Sequence, residues 1–236
     1  MLFLITGWAT DQTIWPKWLE QLALEHEQGD FFEYSSLEKA FLACWQEKQE
    51  QINVLGWSLG GMLALELALK HSDKIKQIIL VSTTAKFTKV DDYQAGLDAT
   101  VVKNLQRKLN RNQQETQAGF YQLMFCETEE SYKQLYLQKY AENFYQLNLC
   151  SLHKGLTYLL EQDLRSQLGQ INVPCKIIHG LNDQICLPSA AQYLQKNIVG
   201  AKSYFLEGTG HIPFFTQEQK FREIIEGCLG GLENAR

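Results

Sequence analysis

Apolar positions along this chain fall into two rhythms. Short runs without polar alternation, at residues 2–6, 52–55 and 76–82, fit strands buried on both faces of a parallel sheet. Between them apolar residues recur every three or four positions. Leu37, Ala40, Phe41 and Cys44 do so within 37–50, which predicts an amphipathic helix. Residues 14–23 also read as a helix, and Phe31-Phe32-Glu33-Tyr34 as a further strand. Strands and helices thus alternate, the order that builds a doubly wound α/β sheet.

From 87 to 169 the alternation stops. No buried strand interrupts helix-like segments rich in Gln, Leu, Tyr and charge, which predicts a helical cap or lid (87–169) inserted into a core made of 1–86 and 170–236. Phe120, Leu123 and Met124 share one helical face there, and both helix packing and substrate contact account for them. The alternation resumes with a strand at 175–179, a helix at 189–196, a strand at 202–206 and a closing helix at 217–228.

Composition narrows the class. The 236 residues are 45% hydrophobic and 21% charged, as in ordinary globular domains, and suffice for one large core. A net charge of −5 gives no general attraction to nucleic acid or an anionic membrane. Six scattered cysteines without a C-x-x-C pair read as reduced thiols of a cytoplasmic protein. The apolar start, Met1 to Ile5, is too short for a signal peptide, and no window suggests a membrane span. Five histidines without ligand spacing leave no metal, and no cofactor, to assign.

The chemistry centres on Gly56-Trp57-Ser58-Leu59-Gly60-Gly61, between the 52–55 strand and the helix formers Met62 to Leu69. Strand, G-x-S-x-G turn and helix together form the nucleophile elbow. The glycines let strand and helix pass beside the bend, and the Leu59 N–H, at a helix start, points towards developing negative charge. Serine needs a base, and histidine supplies one near neutral pH. Asp183 and His211 follow the 175–179 and 202–206 strands, completing the chain order Ser, Asp, His of the α/β-hydrolase triad. His179 is the rival base, but sits within a strand end; Asp73 and Asp163 are rival acids without a strand to position them.

With these residues the sequence resembles the α/β-hydrolases, and more narrowly the pimeloyl-[acyl-carrier protein] methyl ester esterases of biotin synthesis. The resemblance is carried by Thr6-Gly7-Trp8-Ala9, Leu55 to Gly61, Asp163-Leu164-Arg165, Gly180-Leu181-Asn182-Asp183 and Gly210-His211-Ile212-Pro213-Phe214. It implies that the backbone N–H groups of Trp8 and Leu59 form the oxyanion hole. It also implies that Phe120 to Met124 line the substrate and that an acyl carrier protein presents the ester; the chain itself is expected to be a monomer. The family's N-terminal hairpin is missing here, and its His-Gly-Trp-Gly is Thr-Gly-Trp-Ala. Tyr132 and Tyr136 stand at two positions where the family grips its carrier with arginine. Residues 86–166 hold ten basic and ten acidic residues, so the whole −5 lies outside them. Lys103, Arg107 and Arg111 recur there every four residues on one face of a predicted helix, with Lys108 alongside, and both a docking stripe for the acidic carrier and a solvated helix face account for them. The competing expectations are an esterase, thioesterase or carbon–carbon bond hydrolase acting on another small substrate, and a non-enzymatic binding module.

Overall fold

The computed structural model describes residues 1–24 and 34–230. Their centre is a parallel sheet of five strands, β1 (Leu2–Ile5), β2 (Ile52–Trp57), β3 (Ile75–Val81), β4 (Cys175–Gly180) and β5 (Lys202–Leu206), in that spatial order. Register pairs Leu4 with Leu55, Leu55 with Ile79, Ile79 with Lys176 and Lys176 with Lys202. β1 and β2 are buried at every position, which is why their sequences carry no alternation. β5 lies at one edge and is half-buried for most of its length.

The expected helix at 14–23 is not formed as one piece. Pro16 has no N–H to donate within a helix. It splits the segment into a 3₁₀ turn (Gln12–Ile14) and one short helix, α1 (Lys17–Glu20). Beyond it the chain runs beside β1: Leu2 N–H donates to Leu22 O and Leu24 N–H to Leu2 O, both at 2.8 Å. The expected strand at 31–34 lies outside the described residues except for Tyr34, which opens α2 (Tyr34–Lys48).

The nearly all-apolar α3 (Leu59–Lys70) packs against β1, β2 and β3. Between β3 and β4 come α4 (Ala99–Arg111), α5 (Gln113–Leu123), α6 (Glu130–Lys139), α7 (Ala141–Phe144) and α8 (Leu149–Glu161), which pack largely on one another. Asp98, Asn112 and Asn148 cap α4, α5 and α8, each accepting from N–H groups of the first turn. The two ends of this insertion are stitched together. Lys86 and Asp163 form an antiparallel bridge, and Leu164 N–H donates to Ala85 O at 2.9 Å. The Arg165 guanidinium holds both Asp163 oxygens, lowering that carboxyl's pKa, and reaches Asp92 at 2.9 Å. After β4 come α9 (Pro188–Asn197), packed on β4 and β5, then α10 (Pro213–Thr216) and α11 (Glu218–Cys228). Among the described residues no helix is long and apolar enough to cross a membrane.

Candidate active site

β2 turns into α3 at Ser58, whose φ of 57° and ψ of −122° place a residue with a side chain where glycine is normally found. The bend is held from the neighbouring strand end: Ser58 N–H donates to Val81 O at 2.9 Å, and the Thr83 hydroxyl donates to Ser58 O at 2.5 Å. A Cβ on Gly56 would lie 2.3 Å from Gly60 O, and one on Gly60 would lie 2.4 Å from Ile5 O. Only glycines let strand and helix approach this closely. Leu59 begins α3, so its N–H has no carbonyl partner within the helix.

Two further groups converge just past the ends of neighbouring strands, where open α/β sheets build their sites. Asp183 follows β4 and is buried, with Oδ1 accepting from the N–H groups of Ile185 (2.9 Å) and Cys186 (3.0 Å). Its Oδ2 lies 2.8 Å from Nδ1 of His211, in the loop after β5. That bond puts the proton on Nδ1 and leaves Nε2 an acceptor, buried and without a hydrogen-bond partner. Asp183 and His211 are thus joined, while no hydrogen bond from Ser58 reaches Nε2. From the elbow side, Trp57 Nε1 donates to His211 O at 2.9 Å, with the two rings 5.5 Å apart.

The rivals are accounted for by their partners. His179 is fully buried, and its Nε2–H donates to Cys186 O at 2.7 Å. Burial lowers its pKa against the pull of Asp183, so it is a neutral support for the turn that shapes Asp183. Asp73 pairs with Lys74 on the exposed face, and Asp163 with Arg165 at the base of the insertion.

The Gly7-Trp8-Ala9 loop follows β1 at the same edge. Trp8 is buried; its Nε1 donates to Leu152 O at 2.9 Å, and its ring meets Phe120 edge-on at 4.7 Å. Ala9 has a φ of 61°, so alanine occupies a left-handed conformation that glycine adopts more readily. The Tyr121 hydroxyl donates to Ala9 O at 2.7 Å, fastening the loop to the insertion. Phe120 and Met124 are buried, but α5 ends at Leu123, which is 50% exposed. Phe120 and Leu123 line a groove of about 590 Å³ between α4 and α5, with Leu105 on its wall and Lys108 and Arg111 at its rim. Arg107 lies outside it, its Nε donating to Lys103 O of its own helix. Cys186, whose N–H and carbonyl bind Asp183 and His179, had no signal in the sequence: a lone cysteine three residues past an aspartate fits no ligand or redox spacing.

Residues 38–218, which include Ser58, Asp183 and His211, match the alpha/beta hydrolase fold family. The chain belongs to that family. Among curated relatives, the pimeloyl-[acyl-carrier protein] methyl ester esterase of Nitrosomonas europaea is 28% identical over 231 residues, covering 93% of this chain and 92% of its own. The enzyme of the same name from Nitrosospira multiformis is 33% identical over 171 residues, 71% of this chain and 64% of its own. Among solved hydrolase structures, an esterase from Exiguobacterium antarcticum superposes with a TM-score of 0.86 at 21% identity, over 98% of this chain and 91% of the other. At that identity the superposition speaks for the fold.

Proposed function

We propose that the chain hydrolyses the methyl ester of a pimeloyl group carried on acyl carrier protein. It is a carboxylic ester hydrolase of the α/β-hydrolase family. The likeness to relatives named as pimeloyl-[acyl-carrier protein] methyl ester esterases supports this choice of substrate. The buried Asp183–His211 pair, its free Nε2 at the same sheet edge as a serine in a strained bend, supports the serine mechanism. In this reading Ser58 Oγ attacks the ester carbonyl carbon as His211 Nε2 takes its proton, and Asp183 stabilises the imidazolium. The oxyanion is bound by the backbone N–H groups of Trp8 and Leu59. Collapse breaks the bond to the methoxy oxygen, and His211 returns its proton to give methanol. Water, deprotonated by His211, then cleaves the acyl-Ser58 ester and releases the free carboxylate.

Residues 87–169 act as the cap, with Phe120, Leu123 and Met124 as its substrate-facing candidates. The carrier, an acidic protein, would meet the basic rim at Lys108 and Arg111, whose groove leads to Phe120 and so to Trp8. The enzyme works as a cytoplasmic monomer in this account. Expression in a bacterium that requires biotin because it lacks its own esterase tests it: growth without biotin is expected from the parent chain and not from Ser58→Ala. No rescue by a chain that still hydrolyses small esters would assign it to another acyl ester.

A further inference from the structure

We propose that Glu129 is a positioning residue for His211, through which the helical insertion holds the general base in place. The inference rests on the reading of His211 as that base. The His211 loop leaves β5 and is gripped by residues 124–129, on the stretch between α5 and α6. Glu129 Oε2 accepts the Gly210 N–H at 3.0 Å and the Cys126 N–H at 3.0 Å. The next N–H along the loop, that of His211, donates to Met124 O at 2.8 Å. The Thr128 hydroxyl and the Cys126 thiol both donate to Gly208 O, at 3.0 and 3.4 Å. Two consecutive N–H groups of the loop are thus received by the insertion, while the His211 carbonyl is held by Trp57 beside the nucleophile. The peptide carrying the histidine is suspended between the insertion and the elbow.

Glu129 is the buried acid in this junction, 2% exposed, and its Oε1 has no hydrogen-bond partner. Burying an acid with an unmatched oxygen is costly. The cost is borne where the other oxygen fixes the backbone next to the base. Gly210 fits the same account: a Cβ there would lie 2.6 Å from Met124 O and 2.8 Å from Glu129 Oε2, so only glycine lets loop and insertion close on each other. Because the contacts reach the backbone rather than the imidazole, Glu129 sets where His211 sits and takes no part in proton transfer.

The test is steady-state hydrolysis of a p-nitrophenyl ester by the full chain, with thermal unfolding measured alongside. Glu129→Ala and Glu129→Asp withdraw the accepting oxygen; Glu129→Gln retains one of similar reach. The expected result is a kcat about ten- to a hundredfold lower in the first two with KM little changed, and recovery of most of kcat in Glu129→Gln. Should Glu129→Ala not fold, Glu129→Asp carries the test. Lower thermal midpoints with parental kcat in the folded variants would reduce Glu129 to a structural residue and overturn the proposal. His211→Ala separates the two readings. Parental kcat there removes the base, and the proposal with it; collapse of kcat there with unaffected Glu129 variants removes the proposal alone.

Discussion

Replacing Gly56 by alanine places a methyl carbon 2.3 Å from Gly60 O and 2.8 Å from the Cα of Gly61, all on backbone. Normal carbon–oxygen contact needs nearly an ångström more, and no side chain can rotate away to give it. Either β2 or the first turn of α3 must shift, and both carry the elbow. Overpacking of this kind costs about 1–3 kcal/mol. In a chain of this size each kcal/mol lowers the midpoint by about 2–4 °C, so Gly56→Ala should unfold several degrees below the parent. The same substitution at Gly119, in α5, meets nothing within 4 Å. There the helix propensity of alanine should dominate, stabilising by about 1 kcal/mol. Differential scanning fluorimetry on both variants, with esterase activity measured below either transition, gives the answer. Opposite signs are expected, with kcat lost in Gly56→Ala alone. Equal midpoints, or full activity in Gly56→Ala, would show that the close approach of strand and helix does not exist.

Asp183→Asn should lower kcat by about four powers of ten on small esters while the fold persists, because an amide stabilises the wrong tautomer of His211; steady-state kinetics with circular dichroism checks it. Stability should fall as pH drops below about 6.5, since burial lowers the His179 pKa and the unfolded chain then binds the proton the folded chain refuses. Thermal midpoints at pH 7.5 and 5.5 should therefore differ less in His179→Gln than in the parent. Acyl-length preference should be modest, about fourfold in kcat/KM per methylene, from about 0.8 kcal/mol of burial each; a flat series would contradict the apolar groove. Reversing Lys108 and Arg111 to Glu should raise KM for a carrier-bound ester more than for a free one and weaken its salt dependence. Equal effects on both would move the carrier elsewhere.

The strands and the elbow were legible because parallel strands buried on both faces must be written as apolar runs, and a helix close to a strand must be written with glycine. The placing of Asp183 and His211 together at one sheet edge was legible through the strands that precede them. The segment at 14–23 misled because its apolar spacing also suits a chain that packs by one turn, breaks at Pro16 and then runs beside Leu2. Leu123 shares a helical face with Phe120 in sequence, yet the helix ends at that residue and leaves it half exposed. Glu129 was invisible: an acid within Thr128-Glu129-Glu130 reads as a solvated charge, and only the fold brings it against Gly210. Long-range pairs of this kind carry no local periodicity.

The central claim is that Ser58 is a nucleophile activated by His211. Incubating the purified chain with a fluorophosphonate and locating the adduct by peptide mass spectrometry tests it most directly. The account predicts a single adduct on Ser58, absent from Ser58→Ala and strongly slowed in His211→Ala. An adduct on another residue, no adduct on the folded parent, or an unchanged rate in His211→Ala would contradict it.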